Sequence, residues 1–233
     1  MEDFFSRSEA LLGAGTMSRL TEVRIILFGV GGVGSWCAEA LIRTGLTHLT
    51  IVDDDTVQPS NINRQLPATR STLGQPKVLA LRERLLSINP EAEIVALQQR
   101  YTAENAFDFQ LSTFDFVIDA IDSVNDKADL LIAATRAGCR TYSSMGAALR
   151  LDPTHIRVSA FDRVSGDGLA RALRQRFKRI GQWPAHSIRC VWSDLQPMAN
   201  GQNPMVKGSL MPVTATFGCT LAAEVIREIK GED

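Results

Sequence analysis

The stretch IILFGVGGVG, residues 25–34, decides how the surrounding chain folds. Its first four residues form a short apolar run typical of a buried parallel strand, and its glycines fit the pattern G-x-G-x-x-G. Residues 35–44 then have helical character, and an apolar run at 49–52 is followed by three aspartates. A strand, a glycine turn, a helix and a second strand form the βαβ unit in which this pattern indicates a nucleotide site. The sequence therefore predicts that a nucleotide binds here.

The chemistry of this unit is specific. Gly29, Gly31 and Gly34 let the chain turn tightly, let a phosphate approach the backbone and let helix and strand pack closely. The helix that begins there directs unpaired N–H groups and the positive end of its dipole at an anion. Asp53 lies about 20 residues further on, where an acid accepts hydrogen bonds from a ribose. The alternative is a tight turn that binds nothing, with Asp53 merely solvated.

The residues after the second strand are unusual for a dinucleotide site. Asp55, Asn61, Arg64 and Lys77 add a carboxylate, an amide and two cations, which are the groups needed to hold a triphosphate and its magnesium. A dehydrogenase would also need a separate substrate domain, for which 233 residues leave little room. Lys77 is predicted near a helix N-terminus, where a cation is unfavourable unless an anion is bound. Alternatively, the two cations lie on a solvated face.

The bulk composition gives no general attraction to nucleic acid or membrane, because the net charge is −1 and the pI is near 6.3. The first residues lack a basic leader, and no apolar run approaches the ~20 residues of a membrane span, so we expect a cytoplasmic protein without membrane contact. The four cysteines include no C-x-x-C pair, which argues against structural zinc. We expect Cys37 and Cys219 to lie in the core. We expect Cys190 to be an unreactive cysteine in a strand, although its neighbour Arg189 is a cation that could lower the pKa of the thiol.

A basic segment near 163–189 contains seven cations and the acid Asp167 within a helical apolar pattern. It is either a solvated surface helix or a patch that follows the phosphates of tRNA. Residues 196–209 are rich in proline, glycine and asparagine and are predicted to form a mobile loop. A final helix is predicted from Pro212 to Ile229. Because ligands gather at the carboxyl ends of parallel strands, we expect four acids in one crevice, namely Asp53, Asp55, Asp119 and Asp122.

Five segments, in order over most of the chain, resemble the ubiquitin-activating-enzyme-like adenylating superfamily. They are GVGGVGS at 29–35, DDDTV at 53–57, SNINRQ at 60–65, GQPK at 74–77 and DAID at 119–122. Within that superfamily the sequence most resembles the bacterial enzymes that dehydrate threonylcarbamoyladenosine in tRNA. The segments that favour this branch are NINRQ at 61–65, VIDAIDS at 117–123, LDPT at 151–154 and PVTATFG at 212–218.

The resemblance implies a Rossmann-like, three-layer α/β fold, with a mostly parallel sheet continued by a few antiparallel C-terminal strands. It implies a single ATP-binding adenylating domain over 1–233, with the basic segment as an insertion. Asp122 would hold Mg²⁺, although an aspartate before a helix is also a good N-cap. Arg7 would reach the triphosphate bound by a partner subunit, which implies a homodimer. The nucleotide would lie against Gly29, Gly31, Gly32, Gly34, Asp53, Asp55, Asn61, Arg64 and Lys77.

The implied reaction is ATP-dependent. The carboxylate of threonylcarbamoyladenosine, beside the anticodon, would attack the α-phosphate of ATP, and a group of the same side chain would then displace AMP and close a ring. Catalysis would rest on positioning and charge neutralisation, without an enzyme nucleophile. One rival is adenylation of the C-terminus of a ubiquitin-like sulfur carrier, and another is an NAD-linked or non-enzymatic Rossmann module. Sulfur-relay proteins are expected as further partners by the same resemblance.

Overall fold

The computed structural model describes residues 4–199 and 207–231, and within these residues seven strands form one sheet. The order in the sheet is β3-β2-β1-β4-β5-β7-β6, and only the pair β6–β7 is antiparallel. This confirms the predicted Rossmann-like α/β fold. The strands are β1 Arg24–Phe28, β2 His48–Val52, β3 Glu93–Leu97, β4 Phe116–Asp119, β5 Arg140–Ser144, β6 Ile156–Ala160 and β7 Arg189–Ser193.

Helices cover both faces of the sheet, as the alternation of buried side chains along β1 shows. Ile25 and Leu27 pack in one cluster with side chains of four helices, whereas Ile26 and Phe28 belong to a second cluster on the opposite face. Among the described residues, no helix is both long and apolar enough to cross a membrane. The helices are α1 Ser6–Leu12, α2 Ala14–Glu22, α3 Gly34–Thr44, α4 Lys77–Ile88, α5 Val124–Arg136, α6 Gly168–Ile180 and α7 Met211–Lys230.

Helices α3 and α7 approach each other so closely at Gly218 that a larger residue would not fit there. A Cβ atom at Gly218 of α7 would lie 2.3 Å from the carbonyl oxygen of Val33, just before α3. This contact fixes the glycine turn against the core, because Phe217 and Leu221 of α7 pack in the same buried cluster as Leu41 of α3. The glycine turn therefore rests on a rigid scaffold.

Several boundaries differ from the sequence-based predictions. The helix α2 was not predicted, and the basic segment is helical only over Gly168–Ile180. The apolar helix face expected to bury Cys219 leaves it exposed, which makes that prediction wrong, while Cys37 is buried as expected. Of the predicted loop at 196–209, residues 200–206 lie outside the described residues.

Candidate active site

A crevice of about 820 Å³ opens at the carboxyl ends of the parallel strands. The sheet order changes direction between β1 and β4, which are neighbours although β2 and β3 intervene in sequence. Such a switch point is where α/β sheets bind ligands, because the loops from the two strands diverge there. The crevice contains almost all of the predicted site residues: Gly29, Gly31, Gly32, Asp53, Asp55, Asn61, Arg64, Lys77 and Asp122.

The glycine turn after β1 has the geometry that its sequence predicts. Gly29 has φ +84°, and a Cβ atom there would lie 2.8 Å from the carbonyl oxygen of Ala120. At Gly34 the added carbon would lie 1.8 Å from the Gly29 oxygen, so neither position accepts a side chain. Helix α3 begins at Gly34 without a side-chain cap among the described residues, so no capping side chain competes with an anion at the N-terminus of the helix.

Asp53, directly after β2, is held by the backbone. One carboxylate oxygen accepts a hydrogen bond from the amide of Val30 at 2.8 Å, and the other accepts from the amide of Asp55 at 2.9 Å. Burial raises the pKa of Asp53, and the nearby Lys77 opposes this shift. Each oxygen keeps a lone pair free, so the fixed carboxylate is able to accept a ribose hydroxyl.

Lys77 is buried at the first position of α4, and its Nζ lies 2.6 Å from a carboxylate oxygen of Asp55. It therefore does not belong to a solvated face. A cation beside the positive end of a helix dipole needs a nearby anion, and Asp55 supplies one. A bound polyphosphate would find the same cation already fixed in the crevice.

Asn61 and Arg64 come from the short loop after β2. Asn61 is buried, and its side-chain oxygen accepts a hydrogen bond from the amide of Gln58 at 3.0 Å. The Nη1 atom of Arg64 donates to the carbonyl oxygen of Ser60 and to the side chain of Asn63, both at 2.9 Å. Its side chain also lies against Gly32, where an added Cβ would come 3.3 Å from Arg64 Cγ. The side chain of Arg64 thus passes beside the glycine turn and lines the crevice.

The two acids after β4 have opposite surroundings. Asp122 is exposed in the crevice, and Ser123, not Asp122, is the N-cap residue of α5. Asp119 is fully buried instead of facing the crevice, so that expectation was wrong. Its carboxylate lies 2.7 Å from the Nζ atom of Lys127 and accepts a hydrogen bond from the hydroxyl of Ser143 at 2.7 Å. Asp119 therefore has a structural partner and no access to a ligand.

The oxygen ligands in the crevice fit a hard divalent cation. Asp53, Asp54 and Asp55 each offer a carboxylate oxygen, and these atoms lie within 4.8 Å of one another. Asp122 adds an exposed carboxylate in the same crevice. Carboxylates and water are the ligands that Mg²⁺ prefers beside substrate phosphates. The sequence-based choice of Asp122 as the magnesium ligand stays a prediction.

The remaining candidates lie elsewhere. Arg7 is exposed on α1 and is not part of the crevice of its own chain. Cys190 is fully buried in β7, and burial raises the pKa of its thiol. Its cationic neighbour Arg189 pairs with Glu224 at 2.8 Å, and the expectation of an unreactive strand cysteine agrees with this environment. An unreactive thiol agrees with the absence of an enzyme nucleophile from the predicted mechanism.

The basic segment contributes fewer free cations than expected. Arg174 donates to the carbonyl oxygens of Phe161 and Val164 at 2.8 and 2.6 Å, and Arg176 lies 3.6 Å from Asp129. Arg174 and Arg176 are therefore engaged within the protein and do not belong to a solvated face. Asp167 caps the helix by accepting a hydrogen bond from the amide of Ala170. The exposed cations of the segment are Arg163, Arg171, Lys178, Arg179 and Arg189, and of these Arg189 pairs with Glu224.

Sequence reasoning missed Arg150, which lies in the loop after β5. It is only 4 % exposed and borders the crevice. Its Nε and Nη1 atoms have no hydrogen-bond partner among the described residues. Loop arginines are usually solvated, and neither periodicity nor a motif distinguishes this one.

The sequence profile of the ThiF family matches residues 5–233. The chain belongs to the ThiF family. A relative from Bacillus subtilis, tRNA threonylcarbamoyladenosine dehydratase, is 37 % identical over 194 residues, which are 83 % of this chain and 76 % of the relative. The crystal structure of the Escherichia coli tRNA N6-threonylcarbamoyladenosine dehydratase with ATP has a TM-score of 0.90 at 32 % identity, and covers 97 % of this chain and 93 % of that chain.

Other ThiF proteins act on protein substrates. The Escherichia coli sulfur carrier protein ThiS adenylyltransferase is 28 % identical over 213 residues, covering 91 % of this chain and 74 % of that protein. Family membership alone thus leaves two classes of molecule that could be the substrate for adenylation, a tRNA nucleoside and a sulfur-carrier protein.

Proposed function

We propose that this protein is an ATP-dependent adenylating enzyme that dehydrates threonylcarbamoyladenosine next to the anticodon of tRNA, giving the cyclic form. The observation that carries the proposal is one crevice that joins a glycine turn at a helix N-terminus with the cations Arg64 and Lys77 and a cluster of carboxylates. The crevice occurs in a ThiF chain whose relatives at 32–37 % identity are named as this dehydratase. These two supports are independent of each other.

Each group of residues in the crevice would have a separate role in adenylation. The glycine turn and the N-terminus of α3 would receive phosphate oxygens, and Asp53 would accept the ribose hydroxyls. Arg64 and Lys77 would neutralise the charge that develops when the substrate carboxylate attacks the α-phosphorus and pyrophosphate leaves. Asn61 would orient the triphosphate. Asp122 would hold Mg²⁺, which supplies further charge neutralisation when bound.

The second half-reaction needs no enzyme nucleophile. The mixed anhydride between the carboxylate and AMP is attacked at its carbonyl carbon by a nitrogen or oxygen of the same side chain. The carbonyl–oxygen bond to AMP breaks, AMP leaves with that oxygen, and the ring closes. Holding both groups in one site is the main contribution of the protein to this step.

The assembly around this site belongs to the same proposal. The exposed cations Arg163, Arg171, Lys178 and Arg179 would follow tRNA phosphates without reading sequence. Arg7 of a partner subunit would complete the triphosphate site in a homodimer. Sulfur-relay proteins would be further partners, and the tRNA substrate implies a cytoplasmic location. The whole chain, 1–233, would act as one adenylating domain.

The alternative function is adenylation of a ubiquitin-like sulfur carrier, and the similarity to the ThiS adenylyltransferase favours it. Relatives with that activity commonly carry paired zinc cysteines, whereas Cys37, Cys139, Cys190 and Cys219 of this chain are widely separated in sequence. The nucleoside therefore remains the better supported acceptor.

The deciding experiment is mass spectrometry of nucleosides from tRNA incubated with the protein, ATP and Mg²⁺. Threonylcarbamoyladenosine should lose the mass of one water, and AMP should form in equal amount. A reaction without ATP serves as the control. Unchanged nucleosides, together with AMP–carrier adducts when a sulfur carrier is added, would support the alternative instead.

A further inference from the structure

Arg150 is a buried cation with unused hydrogen-bond donors. Its side chain lies at the crevice, and Nε and Nη1 have no partner among the described residues. An arginine keeps its charge in a protein even though burial lowers the pKa of this guanidinium. A buried guanidinium with unpaired N–H groups requires an acceptor, and a carboxylate or phosphate oxygen is the acceptor that forms a charge-assisted hydrogen bond with it.

The neighbouring Asp167 does not fill this role. Its oxygens accept hydrogen bonds from the amide of Ala170 at 2.9 Å and from the amide of Gly146 at 3.1 Å. The Nη2 atom of Arg150 lies 3.6 Å from the second of these oxygens, beyond hydrogen-bond distance. Asp167 therefore moderates the charge of Arg150 and leaves its other two nitrogens free.

The strand order places Arg150 away from the nucleotide end of the crevice. Asp53 follows β2 and the glycine turn follows β1, whereas the loop with Arg150 follows β5. Three strand spacings separate β2 from β5, a distance of about 14 Å. The predicted phosphate-binding cations lie at the other end, since Lys77 pairs with Asp55 and Arg64 contacts Gly32. Arg150 is thus placed to serve the second reactant.

The backbone holds Arg150 in this position. The preceding residue, Leu149, has φ +61°, which is a costly conformation for a side chain of this kind. Its amide donates to the carbonyl oxygen of Gly208, and its own carbonyl oxygen accepts from the amide of Met198, both at 2.8 Å. Two segments distant in sequence therefore fix the loop that presents the guanidinium.

We propose that Arg150 binds the carboxylate of the substrate nucleoside and orients it for attack on the α-phosphorus, an inference that rests on the proposed function. Nη1 would donate to one carboxylate oxygen, so that the other is free to form the new bond to phosphorus. Helix α6 begins at the same end of the crevice, because Asp167 and Gly168 also border it. The exposed cations of α6 would then hold the RNA backbone while the modified base enters on the β5 side.

The test measures binding of an anticodon stem-loop RNA that carries threonylcarbamoyladenosine, without ATP. Arg150→Gln should weaken this binding about 10- to 100-fold, as expected for a lost charge-assisted contact, and should leave the affinity for a fluorescent ATP analogue within about twofold. Arg136→Gln, at an exposed arginine of α5, is the matched control and should change neither affinity.

A second RNA, with the carboxylate converted to its methyl ester, gives a readout that a merely structural role would not change. The wild-type protein should prefer the acid over the ester by a similar factor, and Arg150→Gln should lose that preference. If Arg150→Gln does not fold, Arg150→Lys should retain binding but reduce the preference at least about threefold, since a point charge replaces the planar fork.

The outcomes separate this inference from the function on which it rests. A wild-type protein that leaves threonylcarbamoyladenosine unchanged would refute the proposed function, and this inference with it. Normal wild-type dehydration with an undiminished preference for the acid in Arg150→Gln would refute the role of Arg150 alone. A loss of ATP affinity equal to the loss of RNA affinity would assign Arg150 to the triphosphate and refute the inference as well.

Discussion

Replacing Lys127 with methionine should destabilise the protein strongly, because the lysine neutralises a fully buried aspartate. The Nζ atom of Lys127 lies 2.7 Å from the carboxylate of Asp119 and 3.0 Å from the carbonyl oxygen of Ile121, and both side chains of the ion pair are completely buried. Methionine has a similar length and no charge. The substitution would leave Asp119 with its hydrogen bonds from Ser143 and from the amide of Ile121 but without a counter-charge.

Breaking a buried ion pair from one side costs about 3–5 kcal/mol, since the remaining charge stays out of water. For a chain of this length, each kcal/mol lowers the melting temperature by about 2–4 °C, so Lys127→Met should lower it by about 6–20 °C. Urea unfolding followed by circular dichroism gives the free energy directly. The double variant Asp119→Asn with Lys127→Met removes both charges and should recover at least half of the loss.

Two results of the unfolding experiment would contradict the proposed role of the Lys127–Asp119 ion pair. A cost below about 1 kcal/mol for Lys127→Met would show that Asp119 is not held as a buried charge. A double variant no more stable than the single one would attribute the loss to packing instead. The lysine also holds Ile121, the neighbour of Asp122, so turnover should fall in the single variant even at temperatures where it is folded.

Three further predictions test the crevice and the thiols. Arg64→Ala should reduce nucleoside dehydration to background, measured by mass spectrometry, with an unchanged melting temperature, because the side chain stabilises charge rather than the core. Gly34→Ala should lower stability by more than about 3 kcal/mol in urea unfolding, since its Cβ would lie 1.8 Å from a backbone oxygen. Cys190 should resist iodoacetamide at pH 8 in the folded protein, because burial raises its pKa and keeps the thiolate population small through this pH.

Each of these has a matched control in the chain. Arg136→Ala, at an exposed arginine outside the crevice, should leave dehydration unchanged, and turnover retained in Arg64→Ala would remove that residue from the mechanism. Gly168→Ala places its Cβ in open space and should be nearly neutral. The exposed Cys219 should be alkylated well before Cys190, and equal rates would contradict the buried environment of Cys190.

Local patterns predicted much of the fold. The apolar runs at 25–28 and 49–52 form strands that begin one residue earlier, and the final helix differs from its predicted range by one residue at each end. These elements carry a clear apolar period and clear end signals. Helix α2 was missed because only Thr16 and Leu20 are buried along it, and because Gly15 lowers the helix propensity of its first turn. It forms through contacts that no local pattern encodes, such as the hydrogen bond from Arg19 to the carbonyl oxygen of Ile229.

The site residues were likewise predicted only in part from local patterns, because the environment of a charged side chain depends on its non-local neighbours. Asp53 and Asp119 both end apolar runs, yet one borders the crevice and the other is buried. The signal for the difference is in α5, where Lys127 lies on the same helical face as Leu131 and Ala134. A lysine on an apolar face must have a buried acid as its partner, and the acid at the end of the adjacent strand is the nearest choice. Arg150 has no such signal, since a loop residue belongs to no periodic face, and only the folded chain brings its buried guanidinium to the crevice.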